Sequence, residues 1–190
     1  MPTPLTHAIV GAGCASFLPP GHNRAAAAAT LGVLAASPDL DLIGYFAGVP
    51  YSHLLGHRGL FHSIAFAALI AVVMVILTRA IRSPLGAHTL RLFVVAWAAV
   101  ASHGILDAMT DGGLGIGLLM PFHSGRSFFA FRPIRVAAIS PARFVESASE
   151  VLTSEILWVW LPVAVIVGVG WSFRWWSGPF RAKLDAWSRH

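Results

Sequence analysis

Residues 61–78 read FHSIAFAALIAVVMVILT, eighteen consecutive positions without aspartate, glutamate, lysine or arginine. A helix needs about 20 apolar residues to cross the hydrocarbon core of a bilayer, so this stretch predicts a membrane span. Residues 156–173 form a second uncharged run of the same length, and residues 92–106 form a third, shorter one. They predict two more spans, the third extending through Asp107 if that carboxylate lies at the membrane boundary or inside the protein.

Two shorter apolar runs precede these spans, at residues 5–18 and 25–37. At about 1.5 Å per residue each reaches only ~20 Å, which predicts short spans or a helical hairpin inside the bundle. Thr3 can cap the first helix with Pro4 in its first turn, and Asn23 can cap the second. The sequence therefore predicts an all-α integral membrane bundle of about five helices, the first two short.

The composition agrees with this class. Hydrophobic residues make up 56% of the chain, charged residues 11%, and the mean hydropathy is +0.72, far more apolar than a soluble domain. We predict one domain over residues 1–190, because a second would need its own core and a polar linker. The lone cysteine, Cys14, excludes an intramolecular disulfide and a cysteine-rich metal site. Basic residues stand singly beside apolar runs rather than in one stripe, so no nucleic-acid partner is predicted.

Residues 107–155 differ from the rest of the chain. Four glycines fall between positions 112 and 117, and phenylalanines alternate with arginines from 126 to 135. We expect an ordered loop at the outer membrane interface, with phenylalanines in lipid and arginines at headgroup level.

The distribution of basic residues orients the predicted bundle. If all five helices cross, one side carries eight basic residues and one acid, Asp185. Cytoplasmic loops are enriched in lysine and arginine, so this side is predicted to face the cytoplasm of a bacterial-type inner membrane, with the N-terminus outside and the C-terminus in the cytoplasm. The eight basic residues are Arg24, Arg79, Arg82, Arg91, Arg174, Arg181, Lys183 and Arg189.

Imidazoles and carboxylates gather at the opposite, outer ends of these helices. His103 and Asp107 are four residues apart and project from one helix face, a spacing that lets two side chains bind one ion. Asp39 and Asp41 point the same way if the segment after Pro38 is extended, and can then bridge two ions. Ionisable groups at a membrane boundary are costly and usually paired or functional. We predict seven metal ligands: His7, Asp39, Asp41, His57, His62, His103 and Asp107.

This mixture of imidazole and carboxylate suits zinc, manganese, iron or nickel, and we predict one or two divalent ions with zinc first. Such ions activate water and clamp a phosphoryl transition state, with Asp39 or Asp41 positioning the water. Arg126, Arg132 and Arg135 are predicted to bind an anionic substrate, although anionic headgroups would suit their guanidinium groups equally well. The predicted reaction is hydrolysis of a phosphoester of a lipid or lipid-linked molecule.

Five blocks of sequence also resemble a known family. The blocks are Pro4-Leu5-Thr6-His7, Pro38-Asp39-Leu40-Asp41, His57-Arg58-Gly59 with His62-Ser63, Ser102-His103 with Leu106-Asp107, and Arg126-Ser127-Phe128-Phe129 with Arg132-Pro133-Ile134. In this order they resemble the YdjM-type family of membrane-bound, metal-dependent hydrolases. The resemblance covers residues 2–141 and implies an inner-membrane helical protein with hydrolase activity, without defining a substrate.

The order His, Asp, His and then His-x-x-x-Asp is similar, as an analogy, to that of zinc-dependent phospholipase C. That enzyme class uses a later His-x-x-x-Glu pair, which this chain lacks, so one or two ions are expected rather than three. A transporter or metal sensor would bind an ion through the same ligands without chemistry. Against transport, no histidine or acidic relay continues toward the basic side. Haem ligation needs histidines paired across the bundle and fits the clustered ligands poorly.

Overall fold

The uncharged run at residues 61–78 forms most of a helix over Ile64–Ala80. It begins at Ser63, whose hydroxyl accepts a hydrogen bond from the backbone N–H of Phe66 at 3.0 Å. Lipid offers no hydrogen-bond partner to the backbone, so an apolar run of this length satisfies its own N–H and C=O groups as a helix. The computed structural model describes residues 1–20, 22–81, 83 and 87–172.

Six α-helices are complete within these described residues, and residues 161–172 are helical as well. The six are α1 (Pro4–Cys14), α2 (Arg24–Ala36), α3 (Leu42–Phe46), α4 (Ile64–Ala80), α5 (Thr89–Ala108) and α6 (Pro141–Glu155). The prediction of an all-α membrane bundle is confirmed. The predicted caps are also present, because the Thr3 side chain accepts from Thr6 N, Pro4 lies in the first turn, and Asn23 accepts from Ala26 N.

Three helical segments are long and apolar enough to cross a membrane. The first, Arg24–Phe46, joins α2 to α3 through a 3₁₀ turn at Ser37–Asp41; the second is α5. The third, Pro141–Ser172, has 32 residues and passes from α6 through a π-helical turn at Ile156–Trp160. Helix α4, with 17 residues, is shorter than these. Phe173, the last residue of the predicted final span, lies outside the described residues.

Two sequence-based expectations about local structure are wrong. Residues 107–155 are not one loop, because α5 continues to Ala108 and α6 begins at Pro141. An amphipathic helix of low mean hydropathy escapes a search for uncharged runs, although a proline in the first turn marks its start. The segment after Pro38 is not extended either: Ser37 has φ −64° and ψ −26°, and its hydroxyl donates to Leu34 O at 2.8 Å, so helical geometry continues as a 3₁₀ turn.

Helices α1 and α2 pack as an antiparallel hairpin with very close backbones. A Cβ added to Gly11 would lie 2.3 Å from Leu31 O, and one added to Gly32 would lie 3.0 Å from Ala8 O. Small residues allow this approach between helices in lipid, where packing rather than the hydrophobic effect holds helices together. The hairpin packs on α5, and Leu18, Leu31 and Leu92 are fully buried between them.

Among the described residues, the predicted ligands lie at the opposite end of the bundle from Arg24, Arg79 and Arg91. Arg91, near the start of α5, donates from Nε to Phe17 O at 2.7 Å. The chain just after α1 therefore lies at the same end of the bundle as the start of α5. Arg24 begins α2 and Arg79 ends α4 at this same end. The other residues behind the predicted orientation, Arg82, Arg174, Arg181, Lys183 and Arg189, lie outside the described residues.

Candidate metal centre

All seven predicted ligands are buried and converge at one end of the bundle. None of them exposes more than 8% of its surface, and His7, His103 and Asp107 expose none. They form two groups, in each of which one ligand atom per residue lies within 4.8 Å of the others. The first group is Asp39, Asp41, His57 and His62, and the second is His7, His103 and Asp107.

Helix α5 contributes His103, whose environment fixes the state of its ring. His103 Nδ1 lies 2.8 Å from Ala35 O, a carbonyl that can only accept, so Nδ1 carries the proton. The other nitrogen, Nε2, faces Asp39 Oδ1 at 3.3 Å and His62 Nε2 at 3.1 Å. Histidines that bind metals commonly donate their second N–H to a carbonyl or carboxylate in this way.

His62 shows the same arrangement with a carboxylate as the outer partner. Its Nδ1 lies 3.2 Å from Asp41 Oδ2, while its Nε2 lies 3.6 Å from Asp39 Oδ1 and 3.5 Å from Asp107 Oδ2. His7 completes the cluster, because its Nε2 lies 3.6 Å from Asp107 Oδ1 and its ring stacks on that of His103. Five residues thus direct ligand atoms at a common centre: His7, Asp39, His62, His103 and Asp107.

Unpartnered atoms in this cluster test whether a metal ion fits. Among the described residues, nine buried side-chain nitrogen or oxygen atoms have no hydrogen-bond partner. Two belong to His22, and the remaining seven belong to His7, Asp39, His62 and Asp107. Buried polar atoms normally have partners, and an unpaired buried carboxylate is costly. A divalent cation bound by His7 Nε2 and by oxygens of Asp39 and Asp107 would compensate the two carboxylates, whereas His62 Nδ1 faces Asp41 Oδ2. The cluster can therefore hold a metal ion.

Asp41 and His57 differ from the other five. Asp41 Oδ1 lies 2.7 Å from His57 Nδ1, and Asp41 Oδ2 accepts from Arg58 N at 3.0 Å. Both oxygens of this carboxylate already have partners, whereas both oxygens of Asp39 have none. The 3₁₀ turn therefore aims Asp39 at the centre and leaves Asp41 to orient the two histidines.

The three predicted substrate-binding arginines lie outside the cluster. Arg126 donates to His57 O at 2.8 Å and to His53 O at 3.1 Å, and so holds the loop that carries His57. Arg132 is exposed, with its guanidinium carbon 5.1 Å from the centre of the Phe128 ring.

Arg135 pairs with Asp111 at 2.8 Å on the surface. Burial raises the pKa of the Asp111 carboxyl, but hydrogen bonds from Arg135 and from Val136 N outweigh burial and lower that pKa. Acid should therefore weaken this surface pair, without reaching the cluster directly.

Two buried residues near the cluster were not predicted. Arg58 is only 2% exposed, and its Nε lies 3.2 Å from Asp107 Oδ2. Its place directly after His57 is a signal that the sequence offered. Glu155 is fully buried and accepts hydrogen bonds from the backbone N–H and hydroxyl of Thr3 and from the Thr6 hydroxyl. It ties the final helix to the start of α1, the helix that carries His7.

The fold and the cluster together define a class: a multi-helix membrane protein with buried histidines and aspartates able to hold a metal ion. The family model described as YdjM inner membrane protein matches residues 1–177, and the chain belongs to that family. It is similar to "Inner membrane protein YbcI" of Escherichia coli (strain K12), with 34% identity over 176 residues, which cover 90% of this chain and 98% of that protein. No solved structure matches the chain. The family match and the similarity to the Escherichia coli protein identify the chain as an inner membrane protein.

Proposed function

We propose that this protein is a membrane-bound, metal-dependent hydrolase that cleaves a phosphoester of a lipid or lipid-linked substrate. The observation that carries the proposal is a pair of buried carboxylates, Asp39 and Asp107, whose oxygens accept no hydrogen bond and lie beside His7, His62 and His103 at one end of a membrane bundle. His7, Asp39, His62, His103 and Asp107 would hold the ion, with zinc preferred and manganese or iron as alternatives. A bound divalent ion would activate water and polarise a phosphoryl oxygen.

The chain's own groups would orient the ligands and the substrate. Ala35 O and Asp41 fix the rings of His103 and His62. Exposed Arg132 and Arg135 remain the candidates to bind an anionic headgroup, while Arg126 supports the His57 loop.

An apolar groove next to the cluster supports a substrate with a hydrocarbon chain. The groove has a volume of about 610 Å³ and lies between α4 and α5, with Ala68, Phe93 and Trp97 in its walls. The loop with Leu118, Leu119, Met120, Phe122 and His123 forms another wall. This loop is held close to His62, because Ile64 N donates to Leu118 O at 3.0 Å. A chain in the groove would place its headgroup near the ligand end of the bundle.

Filling the groove should weaken binding of long-chain substrates. In Ala68→Trp the indole would occupy the space of the chain, so we expect KM to rise about tenfold or more for a long-chain substrate and little for a short-chain analogue. Metal content should stay unchanged. Val72→Trp is the matched control, because Val72 lies on α4 one turn further along and is exposed outside the groove. Equal KM values for parent and Ala68→Trp would remove the groove from substrate binding.

The proposed orientation places the cluster on the periplasmic side, the N-terminus outside and the C-terminus in the cytoplasm. It rests on Arg24, Arg79 and Arg91 at the opposite end of the bundle. Alkaline phosphatase is active only outside the cytoplasm, so a fusion after Arg82 should be inactive and an insertion at Ser52, in the loop before His57, should be active. An active fusion after Arg82 would overturn the orientation.

The full proposal is tested with the purified chain in detergent. We expect stoichiometric metal by elemental analysis and release of phosphate or a phosphorylated headgroup from a panel of phospholipids and polyprenyl phosphates, abolished by chelation and restored by zinc or manganese. Cleavage confined to carboxylic esters or amides would keep the hydrolase and remove the phosphate assignment.

The burial of the cluster favours a second candidate, a metal-binding membrane protein without catalysis. None of the seven side chains is more than 8% exposed, which suits a closed site better than one that admits substrate. Stoichiometric metal without turnover across the panel would select this candidate.

A further inference from the structure

The side chain of Arg58 is built into the end of helix α5. Besides the contact between its Nε and Asp107 Oδ2, its Nη1 donates to Gly112 O at 2.8 Å and its Nη2 to Thr110 Oγ1 at 3.4 Å. The Thr110 hydroxyl in turn donates to Asp107 O at 2.7 Å. The carboxylate and the backbone carbonyl of Asp107 are therefore held through one connected network.

The backbone of Arg58 reaches the other group of candidate ligands. Its N–H donates to Asp41 Oδ2 at 3.0 Å, and its carbonyl accepts from Gly117 N at 2.9 Å. Arg58 has φ +65°, a left-handed backbone conformation that residues other than glycine, asparagine and aspartate rarely adopt. Such strain persists where surrounding contacts determine the conformation, and it clusters at functional sites. Arg58 thus contacts one carboxylate from each group.

The glycine-rich segment at 112–117 is shaped around this guanidinium. A Cβ on Gly113 would lie 2.2 Å from Arg58 Nη1, and Gly113 itself has φ +107°. Together with Gly112 O and Gly117 N, this segment encloses Arg58 and leaves its Nε facing Asp107. Close approach of the arginine therefore explains the glycine at position 113.

Charge gives the arginine a second role. Buried charges need compensation, and the cluster contains three carboxylates, Asp39, Asp41 and Asp107, beside one guanidinium. Arg58 therefore compensates part of the negative charge of these buried carboxylates. With its Oδ2 beside Arg58, Asp107 turns Oδ1 toward His7 Nε2 at 3.6 Å.

We propose that Arg58 is a positioning residue that holds Asp107 in metal-binding geometry. This inference rests on the proposed metal centre but concerns a residue that is not a ligand. It requires that loss of the guanidinium weakens metal binding only while the Asp107 carboxylate is present.

The dependence of the Arg58 effect on Asp107 can be tested through zinc affinity. We would measure the affinity of the full chain in detergent by competition with a chromogenic chelator. Arg58→Asn removes the guanidinium while asparagine tolerates the left-handed backbone, and Arg58→Lys keeps the charge without the planar fork. We expect one zinc per parent chain, about 10–100-fold weaker binding in Arg58→Asn and a smaller loss in Arg58→Lys. In an Asp107→Asn background, Arg58→Asn should change the affinity less than about twofold, as for two residues that act as a unit.

Arg143→Asn, an exposed arginine replaced on α6, is the matched control and should bind zinc like the parent. A lower melting temperature in Arg58→Asn with unchanged zinc affinity would mean that Arg58 is only structural and would overturn the inference while leaving the metal centre intact. Equal losses in the parent and Asp107→Asn backgrounds would also overturn it. A parent chain that binds no stoichiometric metal would instead overturn the proposed function, and this inference with it.

Discussion

His103→Ala is expected to abolish stoichiometric metal binding and all metal-dependent turnover. The ring of His103 places Nε2 within 3.3 Å of Asp39 and stacks on His7, so its loss removes one ligand and the support of another. We expect zinc affinity to fall at least about 100-fold, beyond the ~10–100-fold typical for residues that only orient ligands. Elemental analysis after dialysis and the chelator competition measure this directly.

His88→Ala is the matched control, because His88 precedes the same helix at its opposite end and its side chain makes no capping hydrogen bond. Metal content, melting temperature and gel-filtration profile of this control should equal those of the parent. If His103→Ala kept one metal per chain, His103 would not be a ligand and the centre would need to be rebuilt from the remaining residues.

The convergence of the seven candidate ligands could be predicted because its determinants are local. The spacing of His103 and Asp107 fixes their common face on any helix, and uncharged runs locate helix ends where polar side chains must gather. The helices α4 and α5 followed from the same runs. The metal-binding role of the seven histidines and aspartates stays a prediction, but their side chains do lie together at one end of the bundle.

The division of roles within the cluster could not be predicted in the same way. The sequence pattern treated Asp39 and Asp41 as equivalent, whereas a 3₁₀ turn aims one at the centre and the other at His57. That turn depends on a side-chain hydrogen bond and on packing against distant helices. Arg58 was missed for a similar reason. An arginine is expected to be exposed to solvent, and its burial here depends on close contact with Gly113, a residue far away in the sequence.

The amphipathic helix α6 was equally hard to recognise. Helix α6 contains arginine and glutamate and has no long apolar run, so hydropathy alone assigned it to a loop. Its fully buried Glu155 accepts hydrogen bonds from Thr3 and Thr6, partners some 150 positions earlier in the chain. Contacts between residues so far apart leave no periodic pattern in the sequence. They nevertheless tie α6 to the start of α1, the helix that carries His7.

The second large effect is expected from a change that adds a single methyl group, Gly104→Ala. Gly104 lies between the two candidate ligands of α5, and a Cβ there would lie 2.1 Å from His62 O and 3.0 Å from Leu118 Cδ2. The first contact is with backbone, so α5 must move away from the 3₁₀ turn Leu60–His62 that aims His62 at the centre. We expect zinc affinity to fall at least about tenfold, because ligand geometry is displaced while every ligand remains.

The sign of the stability change separates this mechanism from ordinary helix propensity. Glycine to alanine inside a helix is normally stabilising by about 1 kcal/mol, whereas overpacking costs about 1–3 kcal/mol or more. The methyl group should therefore lower the melting temperature, with the clash outweighing propensity. Gly168→Ala is the matched control, since nothing lies within 4 Å of a Cβ at that position, and it should keep full metal affinity with an equal or higher melting temperature. Parent-like zinc binding in Gly104→Ala would show that contact between α5 and the His62 turn does not hold the metal centre together.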